Sequence, residues 1–148
     1  MNKKVFVLAA TIIMLLSGCS MLNDAKDTLT YVNDAKDYLD KATAFANDAP
    51  SLAQQAVGDQ QATAELKTML QDMKQEINAF NKLQAPDIAA DLHQQLVDQN
   101  TKLAAGIDLY LQNMKSGLLD PSILKNSEIF QSVQDISSIL DQIKQLGQ

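Results

Sequence analysis

Apolar residues in this chain fall into one unbroken run near the start and four periodic segments after it. The run covers residues 5–16, with Thr11 its only polar member. About 12 residues cannot span a bilayer, which takes roughly 20. In the first periodic segment, residues 23–47, Leu22, Ala25, Leu29, Val32, Ala35, Leu39, Ala42 and Ala46 recur at steps of three and four. That spacing predicts one face of a helix. Asp48-Ala49-Pro50 predicts its end, because the residue before a proline is pushed out of the α region. The second segment, 51–83, carries Leu66, Met69, Leu70, Met73, Ile77, Phe80 and Leu83, with a weak point at Gly58-Asp59 that can divide it. The third, 87–115, follows a break at Gln84-Ala85-Pro86 and repeats Ile88, Leu92, Leu96, Leu103, Ile107, Tyr110, Leu111 and Met114. Asp120-Pro121 reads as an N-cap with proline at the first helical position, opening a short turn over 122–125. The last segment, 127–146, lines up Ile129, Val133, Ile136, Ile139, Leu140, Ile143 and Leu146, flanked by Phe130. No segment alternates like a half-buried strand. The predicted fold class is all-α, a four-helix antiparallel bundle.

The residues around the initial run change the picture of where the chain begins. Asn2-Lys3-Lys4 precede it and Leu16-Ser17-Gly18-Cys19 close it. A basic start, a short apolar stretch and small residues at the end make an export signal. The closing four residues resemble the lipobox of bacterial lipoproteins. The resemblance implies cleavage between Gly18 and Cys19 and a diacylglycerol on Cys19. It divides the chain into a signal peptide, 1–18, and a single helical domain, 19–148. It also implies residence on the extracytoplasmic face of the cell membrane. One acyl chain holds a protein marginally, two hold it stably. The helical domain need add nothing to the anchoring. With only residues 20–22 ahead of the first helix, the domain is expected close to the bilayer.

Composition narrows the partners. The full chain carries a net charge of −6, with no Arg among its 12 basic residues and no Trp. An acidic chain without a basic-aromatic cluster does not suit nucleic acid, nor an anionic headgroup surface. Cys19 is the only cysteine, so stability is expected from packing rather than disulfides. The repeat Asn23-Asp24-Ala25-Lys26-Asp27 and Asn33-Asp34-Ala35-Lys36-Asp37 lacks the alternating acids, glycine and closing Glu of a calcium loop. No cofactor beyond the lipid and no metal is expected.

Candidate chemistry is sparse. His93 is the single histidine, expected on a solvent-facing helix surface, and a triad needs three converging groups. No catalytic residue is assigned. Tyr31, Tyr38 and Tyr110 are the candidate contacts for a protein partner, because tyrosine joins an apolar body to a polar tip; partial burial at the bundle edge is the competing reading. The mature chain resembles small exported lipoproteins of low-GC Gram-positive bacteria, a group of unknown function. The resemblance rests on the lipobox, the length, and Leu83-Gln84-Ala85-Pro86 before a long leucine-bearing helix. The expected function is a non-enzymatic, membrane-anchored module that binds or scaffolds an envelope protein. The alternative is a carrier holding a lipid or small molecule in a cavity between helices.

Overall fold

The structure is a computed structural model that describes residues 18–117, 119–122 and 128–146. The apolar run, the expected turn at 123–125 and the side chains of residues 18–25 (Cys19, Leu22 and Ala25 among them) and of Phe130 lie outside the described residues. Four helices occupy the rest: α1, Gly18–Ala56; α2, Gln60–Phe80; α3, Ala90–Lys115; and α4, Glu128–Leu146. A single 3-10 turn, Asp87–Ala89, leads into α3. No strand is present among the described residues.

Cross-helix contacts give the topology. Lys41 pairs with Glu76, and Thr63 reaches back to the Ala56 carbonyl, so α1 and α2 run antiparallel. Lys74 pairs with Asp108 and Asn100 with Asn81, so α2 and α3 do as well. Tyr31 meets His93 and Tyr38 meets Asn100, which sets α1 and α3 parallel across the diagonal. α4 closes the ring against α3 and α1. This is the predicted antiparallel bundle.

Two expectations about α1 are corrected. The helix does not stop at Pro50; it runs on to Ala56 with the proline inside it. An interior proline forfeits one backbone bond and costs about 3 kcal/mol. Against that cost, the continuation buries Ala53 and Ala56 and packs Leu52 on the core, and Ala49 presents the proline ring with only a methyl group. The chain turns instead at Gly58, whose φ of +112° few other residues adopt. Asp59 then caps α2, accepting from the N–H groups of Gln61 at 2.8 Å and Ala62 at 3.2 Å.

The buried face of α1 overlaps the predicted one but is displaced toward the aromatic positions. It keeps the predicted Ala35, Leu39 and Ala42, with Val32 and Ala46 partly buried, but centres on Tyr31, Tyr38, Phe45, Ala49, Ala53 and Ala56, while Leu29 is 53% exposed. Three aromatic rings and a stripe of alanines face inward. Small residues in α1 let the other helices come close around the rings. In the later helices the predicted faces are buried largely as read: Leu66, Leu70, Met73, Ile77 and Phe80; Leu96, Leu103 and Ile107; Ile129, Ile136, Leu140 and Ile143. Ile88 is the exception and stands 62% exposed. Each fully buried aliphatic side chain contributes about 1.5–3 kcal/mol of transfer free energy.

Gly106 sets the distance between α3 and α4. A Cβ there would lie 2.6 Å from Cγ1 of Ile129. α3 ends at Lys115, with Gly117 just beyond it at φ +74°. Asp120 accepts from the Ser122 N–H at 2.9 Å, as an N-cap before Pro121 does, and hydrogen bonds from Ser122 hold its carboxyl below the ordinary range.

Candidate functional site

The tyrosines offered as partner contacts are interior. Tyr31 and Tyr38 are each 3% exposed and Tyr110 is fully buried. Tyr31 and Tyr38 sit a helical heptad apart on the core face of α1, so both rings enter the bundle. Phe80, at the end of α2, stacks on Tyr38 with centroids 4.5 Å apart and lies 6.3 Å from Tyr31. The rings sit deeper than partial burial at the bundle edge.

Each of the two rings ends in a hydrogen bond to α3. Tyr38 donates its hydroxyl to Oδ1 of Asn100, and Asn100 donates from Nδ2 to Oδ1 of Asn81 at 2.7 Å. Asn100 is completely buried, so this chain satisfies an amide that would otherwise be stranded. Tyr31 and Nδ1 of His93 are 2.9 Å apart. Burial lowers the His93 pKa and favours the neutral ring. A neutral ring with its hydrogen on Nε2 accepts the Tyr31 proton at Nδ1. Burial raises both tyrosine pKa values; for Tyr38, the Asn100 bond opposes that shift and Glu76 adds to it.

His93 is therefore half-buried rather than solvent-facing. Its ring meets Tyr31 edge-on at 5.7 Å and Phe80 at 5.4 Å. The arrangement clamps α1, α2 and α3 together at one end of the bundle. Burial likewise raises the Tyr110 pKa, with Asp120 adding to it; its hydroxyl has no hydrogen-bond partner among the described residues. No set of three His, Cys, Asp or Glu groups suited to a metal occurs among the described residues.

Sequence reasoning missed Asn100 and the role of Phe80 as the ring between two tyrosines. A signal for Asn100 was present: it falls between Leu96 and Leu103, at a core position of α3.

The concave surfaces lie outside the core, between neighbouring helices. One groove, about 630 Å³, runs between α1 and α2 over Ala44, Phe45, Ala64, Met69 and Met73, and is bordered by Asp48, Glu65, Asp72 and Glu76. A second, about 710 Å³, lies between α2 and α3 and is edged by Lys67, Lys74 and Lys115. A third, about 770 Å³, sits where α1 passes the loop before α3, with Tyr31 at its wall and Asp27, Asp34 and Asp87 around it. All three open to solvent. A carrier would need an enclosed apolar chamber. Here Leu66, Leu70, Leu103, Ile107 and Ile136 are fully buried between the helices, leaving no water-sized space against them.

At the other extreme of α1, Cys19 is its second residue. Residues 20–22, expected to be a short link, are helical. Tyr31 is level with the end of α2 and the start of α3, and Asp27 with the loop between them. The nine helical residues before Asp27 continue about 13 Å further. No helix among the described residues is long and apolar enough to cross a membrane.

Residues 31–146 match a family of unknown function (DUF6376). The chain belongs to that family. The matched region begins at Tyr31, where the aromatic clamp begins, and ends at the last residue of α4. The chain is also 32% identical over 142 residues to an uncharacterized lipoprotein, YybP, of Bacillus subtilis (strain 168), covering 96% of each protein. The resemblance to small lipoproteins of unknown function holds at this level. No solved structure matches the chain.

Proposed function

We propose that the protein is a lipoprotein held by Cys19 to the outer face of the cell membrane, where its helical body acts as a non-enzymatic binding or scaffolding module. The observation that carries this reading is the continuity of α1, which starts at the lipobox cysteine and ends inside the core. Similarity to a lipoprotein along nearly the whole chain supports the anchor. The single histidine is committed to Tyr31 and to ring packing, which supports a structural role for it. The open grooves flanking α2 are the surfaces on which a partner would be received.

The test is acyl labelling and fractionation of cells producing the full chain, with and without Cys19→Ser. The expected result is a labelled N-terminal Cys19 in the membrane fraction, and loss of both label and membrane retention in the variant. An intact residue 1–18 segment on the membrane-bound protein would overturn the anchor. Photocrosslinkers placed at Thr68 and Gln71, one in each groove, test the binding role; the absence of any reproducible neighbour would overturn it.

A further inference from the structure

On the reading that the chain stands on a membrane, we propose that its copies associate side by side, the acidic α1/α2 groove of one copy receiving the lysine-edged α2/α3 face of the next. The two surfaces flank the same helix and carry opposite charge. In the acidic groove, Lys41 is taken up by Glu76 at 2.7 Å. Asp48 and Asp72 have no ion-pair partner among the described residues, and Glu65 accepts only an uncharged amide, that of Gln61. On the other flank Lys74 is taken up by Asp108, while Lys67 and Lys115 have no ion-pair partner among the described residues.

The unpaired charges also stand at one height. Counting seven residues from each member of the Lys41–Glu76 pair brings Asp48 level with Met69, between Glu65 and Asp72. Counting seven from each member of the Lys74–Asp108 pair brings Lys115 level with Lys67. The two levels differ by two residues of α2, about 3 Å along its axis. Copies rooted in one bilayer through a helix without a flexible link share polarity and height. They would present these surfaces to one another directly. The lysine stems are apolar and suit the Ala44, Ala64 and Met69 floor, while their ammonium groups reach the acidic border.

The full chain carries −6, and loss of Lys3 and Lys4 with residues 1–18 takes the anchored form to −8, which opposes such a contact in dilute solution. Confinement to a surface raises the effective concentration enough for a weak pairing to form. The contact joins two different patches, so it extends into rows or closes into rings. The chain thereby supplies its own partner for each of the two grooves.

The experiment uses the full chain in washed membranes of producing cells. One tagged copy carries Thr68→Cys in the acidic groove. A second, differently tagged, carries Gln71→Cys on the lysine-edged side. A short bismaleimide should join them. Adding Glu65→Lys and Asp72→Lys to the first copy should cut the mixed product about tenfold. Placing Lys67→Glu and Lys115→Glu on the second copy as well should restore it. Absence of a mixed product, a yield indifferent to charge reversal, or a product with another protein in place of the second copy would overturn the proposal. Acyl labelling of Cys19 in the same cells reads the anchor separately. Charge-dependent crosslinking without that label would keep the contact and remove the anchor.

Discussion

The two ends of the bundle interior are built on different rules. Near the start of α3 the core is a polar-aromatic clamp of Tyr31, Tyr38, Phe80, His93 and Asn100, tied by directional bonds. Beyond it, towards Ile107 and Ile129, the interior is mainly aliphatic around Phe45 and Tyr110, without a hydrogen bond on the Tyr110 hydroxyl among the described residues, and Gly106 together with the alanines of α1 controls how near the helices come. Hydrogen bonds specify which residue stands opposite which. Small residues specify only distance. A bundle of similar aliphatic stripes could slide by a turn, and the Tyr38–Asn100–Asn81 chain opposes that shift because any slip strands a buried amide.

The largest expected effect is in the aliphatic part. Leu103→Ala should cost about 2–5 kcal/mol in denaturant unfolding, since it removes a fully buried side chain and leaves a cavity. A smaller loss would mean that this end of the core collapses around the gap. Next is the clamp. Asn100→Ala should cost about 1–3 kcal/mol by stranding the Tyr38 hydroxyl and the Asn81 carbonyl oxygen. Combining it with Tyr38→Phe should cost less than the two single losses together, because each removes the same bond. Additivity would show that the bond contributes nothing.

The smallest effect is on pH dependence. Burial lowers the folded-state pKa of His93 below its ordinary 6.5, so the unfolded chain takes up the proton first. That contribution is complete above about pH 6.5 and declines as the pH falls toward the folded value. Tyr31 and Tyr38 act in the opposite range: their pKa values are raised, so stability falls as the pH rises past 10.0. Melting wild type and His93→Gln at pH 7.5 and 5.5 should give a shallower decline in the variant. An equal decline would assign the acid sensitivity to other groups.

This contrast also explains what could be read from the chain. Periodicity works where burial is aliphatic and continuous, and it placed the faces of α2 and α4 well. In α1 it found Ala35, Leu39 and Ala42 but not the rings, because alanines occupy both the buried face and the flanks and the inward rings belong to residues that also suit surfaces. Pro50 misled for a related reason: a local preference lost to the packing of Ala53 and Ala56 on the far side of it. The clamp itself joins residues 62 positions apart, as in Tyr31–His93 and Tyr38–Asn100, and no local pattern reports such a pairing. The grooves emerged only once the helices had neighbours, since their charge contrast depends on which lysines and acids are already paired.

On the proposed anchor, one helix would serve both as the root of the molecule and as one wall of its interior. A lipid at Cys19 would then attach directly to a helix that is continuous from Gly18 to Ala56 among the described residues. Its reach is that of a post, not a leash. On the proposed anchor, the part of the interior nearest the membrane along α1 would be the end that holds the Tyr31–His93 and Tyr38–Asn100 bonds.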